Sequence, residues 1–167
     1  MLQNHDRDIL RELAKQVAEI AALPVQQETI AAWKALNSLK PIRPMFMIDQ
    51  IPWHEMDVDG ELTLRTEGQW ARGIETRLRR TLYSWRHMRA DMVVEPVFDV
   101  PKVIRNTGFG VQLVEERAFT DVRNDVVSHH YIDQLKTGED VAKIRAPEIS
   151  LDVEATARVE EMAHEVF

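Results

Sequence analysis

The sequence predicts an α/β protein in which N-terminal helices are followed by parallel βα units. Three observations carry that prediction. Residues 45–49, "MFMID", are a short continuous apolar run ending in an acid, the pattern of a strand covered on both faces. Met92, Val93 and Val94, in "ADMVVEPVFDVP", repeat it. Helical stretches of ten or more residues lie before, between and after these runs, and strands alternating with such helices point to a parallel sheet.

The elements follow in order. Ile9, Leu13, Val17 and Ile20 recur at spacings of four and three, which predicts a helix over 6–22 with Asp6 and Asp8 near its start. Pro24 ends it. A second helix, about 25–39, places Ile30, Trp33 and Leu36 on one face, and "KPIRP" at 40–44 breaks helicity twice. After the first strand, "DVDGELTL" at 57–64 carries an Asp-Gly turn signal. The same stretch has acids at alternate positions before Gly60, as in a calcium loop, but Thr66 stands where such a loop needs its closing glutamate, so a turn is the reading taken. Trp70, Ile74, Leu78, Leu82 and Trp85 form one stripe of a long helix over 67–88. Beyond the second strand, 106–110 is a Gly-containing loop, and "VQLVEERAF" and 126–135 read as further strands. Thr137-Gly-Glu-Asp140 fits a capping box opening a short helix to about Ala146, which Pro147 stops. A last helix starts near Asp152, with Val159, Met162 and Val166 on its apolar face. It stops in mid-pattern at "EEMAHEVF", and three or four parallel strands make a thin sheet, so the chain reads as the front part of something longer.

Composition narrows the function classes. The 167 residues suffice for one domain with a proper core, and 44% apolar with 29% charged residues is typical of a soluble globular protein. No apolar run approaches a membrane span, and "MLQNHDRDILREL" lacks the apolar centre of a signal peptide. The expectation is a cytoplasmic protein without membrane contact. The absence of cysteine excludes disulfides, thiolate zinc sites and a cysteine nucleophile within this chain. A net charge of −7 argues against nucleic acid as a partner. The one basic stretch, "RGIETRLRRTLYSWRHMR" at 72–89, reads as a solvated helix face paired with neighbouring carboxylates.

Candidate site residues follow the predicted strands, because loops after the carboxyl ends of strands carry the chemistry in α/β proteins. Asp49, Trp53, His54 and Glu55 come directly after the first. His54 next to a carboxylate suits a general base, Trp53 an aromatic wall and Glu55 a substrate contact, although neighbours on an extended segment point in opposite directions. Glu95 and Asp99 flank "PVF" after the second strand, and an acid in an apolar pocket is readily shifted to a useful pKa. The alternative is that one of them caps a turn or pairs with Lys102 or Arg105. Of His129 and His130 in the third strand, only one can face inward. The catalytic candidates are therefore Asp99, Glu95 and His54; the substrate-contacting candidates are Trp53, Glu55, Arg105 and His129. No metal ligands are assigned.

Four stretches in sequence carry a resemblance: "RPMFMID", "ADMVVEPVFDVPKVIRNTGFGV", "QLKTGEDVAKIRAPEI" and the helix after it. Their order and spacing resemble the N-terminal half of the uroporphyrinogen decarboxylase superfamily, which includes cobalamin- and coenzyme M-linked methyltransferases. The resemblance implies a (β/α)₈ barrel, with residues 1–40 as a helical preface and 41–167 as its first half. It implies that Asp99, or less well Glu95, corresponds to the aspartate facing the pyrrole NH groups. The decarboxylases also carry an arginine-bearing loop after the first strand. Here that loop is Gln50-Ile-Pro-Trp-His-Glu-Met56, without arginine, which directs the resemblance towards the methyltransferase or uncharacterised members. A full-length enzyme of that kind implies a bulky or methyl-carrying small-molecule substrate, with zinc and a corrinoid as cofactors held outside this chain. Alone, the chain would be inactive and, with open edges, a homo-oligomer. The rival reading is a complete stand-alone α/β module whose acidic surface docks a protein partner.

Overall fold

Helix α1 (Asn4–Ala21) forms where the spacing of apolar residues predicts it and buries Leu10 and Leu13. Helix α2 (Pro24–Asn37) starts at the proline that stops α1. At a first helical position the missing N–H costs nothing and the fixed φ suits entry. The computed structural model describes residues 2–57, 59–119 and 127–167. They fall into two units, one of Met1–Ile51, Glu55–Asp99 and Glu161–Phe167, the other of Pro52–His54 and Val100–Glu160.

The first unit is helical. Its long helix α4 (Gln69–His87) lies against α1, and Leu10, Leu13, Ala71, Leu78, Leu82 and Val166 make the core; the four-residue helix α3 (Trp53–Met56) has residues in both units. Each buried leucine contributes on the order of 2 kcal/mol. Ile9, Val17, Ile20, Trp70 and Ile74 pack around it half-buried, which matches the predicted stripes.

Two buried carboxylates fix the strand-like approach to α4. Asp6 of α1 accepts the backbone N–H groups of Glu67 and Gly68, both at 2.9 Å. Glu75, fully buried one turn into α4, accepts from the N–H groups of Arg65 and Thr66, the Thr66 hydroxyl at 2.7 Å and Arg79 Nε at 2.7 Å. These bonds satisfy amides that neither helix nor sheet reaches. A Cβ on Gly68 would stand 3.0 Å from Asp6 Oδ2, so glycine keeps that approach open.

Among the described residues the parallel βα units expected from sequence are absent, and so is any (β/α)₈-type arrangement. The described strands are four, all short, in two antiparallel pairs. Residues 45–49 and 92–94 are extended, but no ladder joins them. Their backbone groups go mostly to side chains. Phe46 N–H donates to Asp91 Oδ2 at 2.8 Å and Val94 N–H to the buried Gln26 Oε1 at 2.9 Å, and one backbone bond, Asp91 N–H to the Phe46 carbonyl, links the runs. Phe46 and Met47 are 65% and 75% exposed rather than covered on both faces. Gln50, at φ +55°, then turns the run aside. The 57–64 stretch is a turn as expected, with Gly60 at φ +75° and Asp57 accepting from Leu62 N–H and the Thr63 hydroxyl.

The second unit pairs β1 (Ile104–Asn106) with β4 (Ile149–Leu151), and β2 (Glu115–Ala118) with β3 (Ser128–Tyr131). β2 and β3 fall inside predicted strands, whose position 126 lies outside the described residues. β1 and β4, three residues each, are shorter than any periodicity resolves. The capping box forms as read: Thr137 and Asp140 bond reciprocally, opening a 3₁₀ turn (Gly138–Lys143). Asp152 then accepts Ala155 N–H and starts α5 (Val153–His164). Gly110, at φ +80°, is obligatory because a Cβ there would sit 2.3 Å from the Lys143 carbonyl oxygen.

Two stability tests follow from these contacts. Burial pushes the Glu75 carboxyl up, but donors from Thr66, Arg79 and Arg65 outweigh it and hold the pKa below the ordinary range. A depressed folded pKa gives stability that is complete above the unfolded value of about 4.3 and lost as pH falls through the folded one. Glu75→Gln is expected to cost about 3 kcal/mol at neutral pH in urea unfolding, with the gap from wild type narrowing in acid. Leu39 occupies the left-handed position (φ +58°) of a Schellman end to α2, with Lys40 N–H bonded to the Ala35 carbonyl and Leu39 N–H to that of Leu36. It is 89% exposed, so Leu39→Gly loses little packing and is expected to raise stability by about 1 kcal/mol on the same assay.

Candidate functional site

The groove with the most convergent chemistry lies in the first unit, between α2, the end of α4 and the two extended runs. Its volume is about 540 Å³, within the range of small-molecule sites. Trp33, Met47, Ile48, Ile51, Met88 and Met92 supply an apolar lining, and thioether side chains adapt readily to ligand shape. Lys34, Arg89, Asp91 and Glu95 supply charge.

Asp91 organises this wall. It follows Ala90, whose φ of +40° turns the chain out of α4. Its carboxylate takes both Arg43 guanidinium nitrogens, at 2.9 and 2.5 Å, and the Phe46 N–H, while its carbonyl accepts Trp33 Nε1–H at 2.8 Å. The Arg43 bond and then the Phe46 N–H hold the Asp91 carboxyl down to about 2. Asp91 is therefore a structural anion at any ordinary pH. Sequence reasoning passed over it, and the readable signal was an arginine ahead of one apolar run and an acid ahead of the next.

The predicted site residues do not converge on one centre. Glu95 lines the groove, and its carboxylate makes no hydrogen bond or ion pair among the described residues. Asp99 is exposed, 3.9 Å from Arg77 Nη2, and not paired with Arg105, which binds Asp152 instead. Trp53, His54 and Glu55 lie on α3, so the extended geometry assumed for them gives way to a helical turn. Trp53 and His54 are half-buried and Glu55 is exposed. Arg105, on β1, is tied to Asp152 at 2.5 Å. His129, on β3, gives one ring nitrogen to Glu115 at 2.8 Å and stacks on Tyr131, while Glu115 also binds Arg117. His129 and Arg105 belong to different strand pairs.

Arginines of the basic stretch 72–89 find partners of mixed kind, of which carboxylates are only a part. Arg72 bonds the Thr66 carbonyl, Arg79 binds Glu75, Arg86 binds Glu61 at 2.7 Å, and Arg77 and Arg89 lie over the Phe98 and Trp85 rings at 4.5 and 4.3 Å. Among the described residues no group of three or more His, Asp or Glu is arranged to hold a metal ion. Among the described residues no helix is long and apolar enough to cross a membrane.

Fold and site together define a class: a helical unit with an apolar, methionine-lined groove, followed by a unit of two small antiparallel strand pairs. Compared with protein-family models, curated proteins and solved structures, the chain matches none.

Asp91→Asn is expected to release the run from Arg43 to Ile48, seen as faster amide exchange at Phe46 while the Leu10–Leu78 core keeps its protection. In the wild type this tether, being a depressed carboxyl, is complete above about pH 3.9 and is lost as pH falls towards 2.

Proposed function

We propose that the chain supplies the small-molecule-binding N-terminal part of a uroporphyrinogen decarboxylase-like enzyme, of methyltransferase type or an uncharacterised relative, and that it is inactive alone. One observation carries the reading. Two of the stretches that resemble the family, 43–49 and 90–95, are bonded to each other through Asp91 and line one groove. The groove is apolar, takes a ligand of moderate size, and presents Glu95 as an uncommitted acid at its edge. The proposal does not depend on a barrel. It places the substrate against Trp33 and the methionines, assigns no reaction step to Asp99, Arg105 or His129, and leaves zinc and corrinoid to other parts of the enzyme. A cytoplasmic location and self-association are part of the same proposal. The cysteine-free composition supports the first and the exposed apolar side chains the second.

A second reading, a protein-binding or assembly module, has its own support. Leu39, Ile42, Phe46, Met47 and Ile48 stand exposed within ten residues, and Leu39 holds a strained backbone without gaining burial.

Methionine methyl ¹³C labelling separates the two. Titration with a methylated alkanethiol sulfonate and with a porphyrin tetracarboxylate is expected to shift Met47, Met88 and Met92 for the methyl carrier only. Saturable shifts with the porphyrin instead point to the decarboxylase branch. Shifts at Met47 that follow protein concentration and ignore both ligands support the assembly module.

A further inference from the structure

The edge of β4 carries a second, separate binding surface. We propose that two copies of this chain join antiparallel along β4, about a two-fold axis at Ser150, to give a four-stranded sheet ordered β1-β4-β4-β1.

The phase of the hydrogen bonds sets this register. Thr107 N–H bonds the Glu148 carbonyl at 3.2 Å and Asp152 N–H that of Val103 at 2.9 Å, at the two ends of the β1–β4 pair. Bonded and non-bonded pairs alternate along an antiparallel ladder, so Arg105 and Ser150 direct their backbone groups at each other. Ile149 and Leu151 then direct theirs outward, and neither makes a hydrogen bond among the described residues. A two-fold axis at Ser150 sets Ile149 opposite Leu151 of the second copy, each offering both donor and acceptor. Four outward donors and acceptors on one copy meet the same four on the other.

Side chains favour the same partner. Exposed edges are ordinarily guarded by charge. β1 carries Arg105, β2 carries Glu115, Glu116 and Arg117, and β3 two histidines; β4, Ile-Ser-Leu, carries no ionisable group. Ile149 and Leu151 share a face with Ile104, and all three are about half-exposed or more. Pairing sets the two copies' Ile149 and Leu151 side by side as cross-strand neighbours and doubles the apolar face; Glu148 and Asp152 come opposite each other at its two ends, where Arg105 of the same chain already answers Asp152. A two-stranded sheet is marginal by itself, and four strands are not.

The chain has no cysteine, so a single introduced thiol reports the axis directly. Ser150 opposes its own copy as a non-bonded pair, where Cα atoms lie about 4.5 Å apart, within disulfide range. Ser150→Cys is expected to form a covalent dimer under mild oxidation, while Ser128→Cys on β3 does not. By light scattering the wild type should weigh twice 19.4 kDa and dissociate on dilution. The double variant Ile149→Lys, Leu151→Lys should stay at the single mass with unchanged circular dichroism. A monomer at every concentration, or cross-linking no faster at 150 than at 128, overturns the pairing; in the latter case any wild-type dimer uses another surface. The groove is probed by methionine shifts and this edge by the thiol, so either proposal can fail alone.

Discussion

The first unit depends on two carboxylates that do the work of a sheet. Asp6 and Glu75 take six bonds from the 65–68 backbone and the Thr66 hydroxyl, and so fix where α4 begins relative to α1. Placement of Leu78 and Leu82 against Leu10 follows from that start. Burying a carboxylate is costly unless its lone pairs are filled, and Glu75 fills them with backbone, hydroxyl and guanidinium donors together. The apolar core and the polar clasp are consequently one cooperative arrangement.

The same device recurs along the groove. Gln26 is buried, donates to the Ile20 carbonyl and accepts Val94 N–H, and Asp91 performs the equivalent task for Phe46. Extended chain is thus held by the side chains of a helix and a turn rather than by neighbouring strands. This explains how the unit keeps two apolar runs close together without a parallel sheet, and why much of the first run stays exposed.

That substitution also marks the limit of what the sequence could disclose. The helices were legible because Leu13, Val17 and Ile20, or Ile74, Leu78 and Leu82, declare a 3.6-residue period over several turns. The capping box at Thr137 was legible because its logic is local. The runs at 45–49 and 92–94 were misread as parallel strands because continuous apolarity reports a tendency to extend, while pairing depends on partners distant in sequence. Nothing local in Gln26 announces that it will occupy the hydrogen-bonding position of a neighbouring strand. Of the candidate site, Glu95 was found from its place after an apolar run. Trp33 and the methionines were seen only as helix or strand residues, and Asp91 was not singled out.

The arginines of α4 have a consequence at the surface. Arg79 and Arg86 are each offset by a carboxylate, whereas Arg72 keeps its charge while its donor is engaged by the Thr66 carbonyl. With a Debye length of about 8 Å such surface charges act only on what is already close, so a neighbour feels these local pairings more than the net charge of −7. A basic stretch of sequence is on that account not by itself a basic surface.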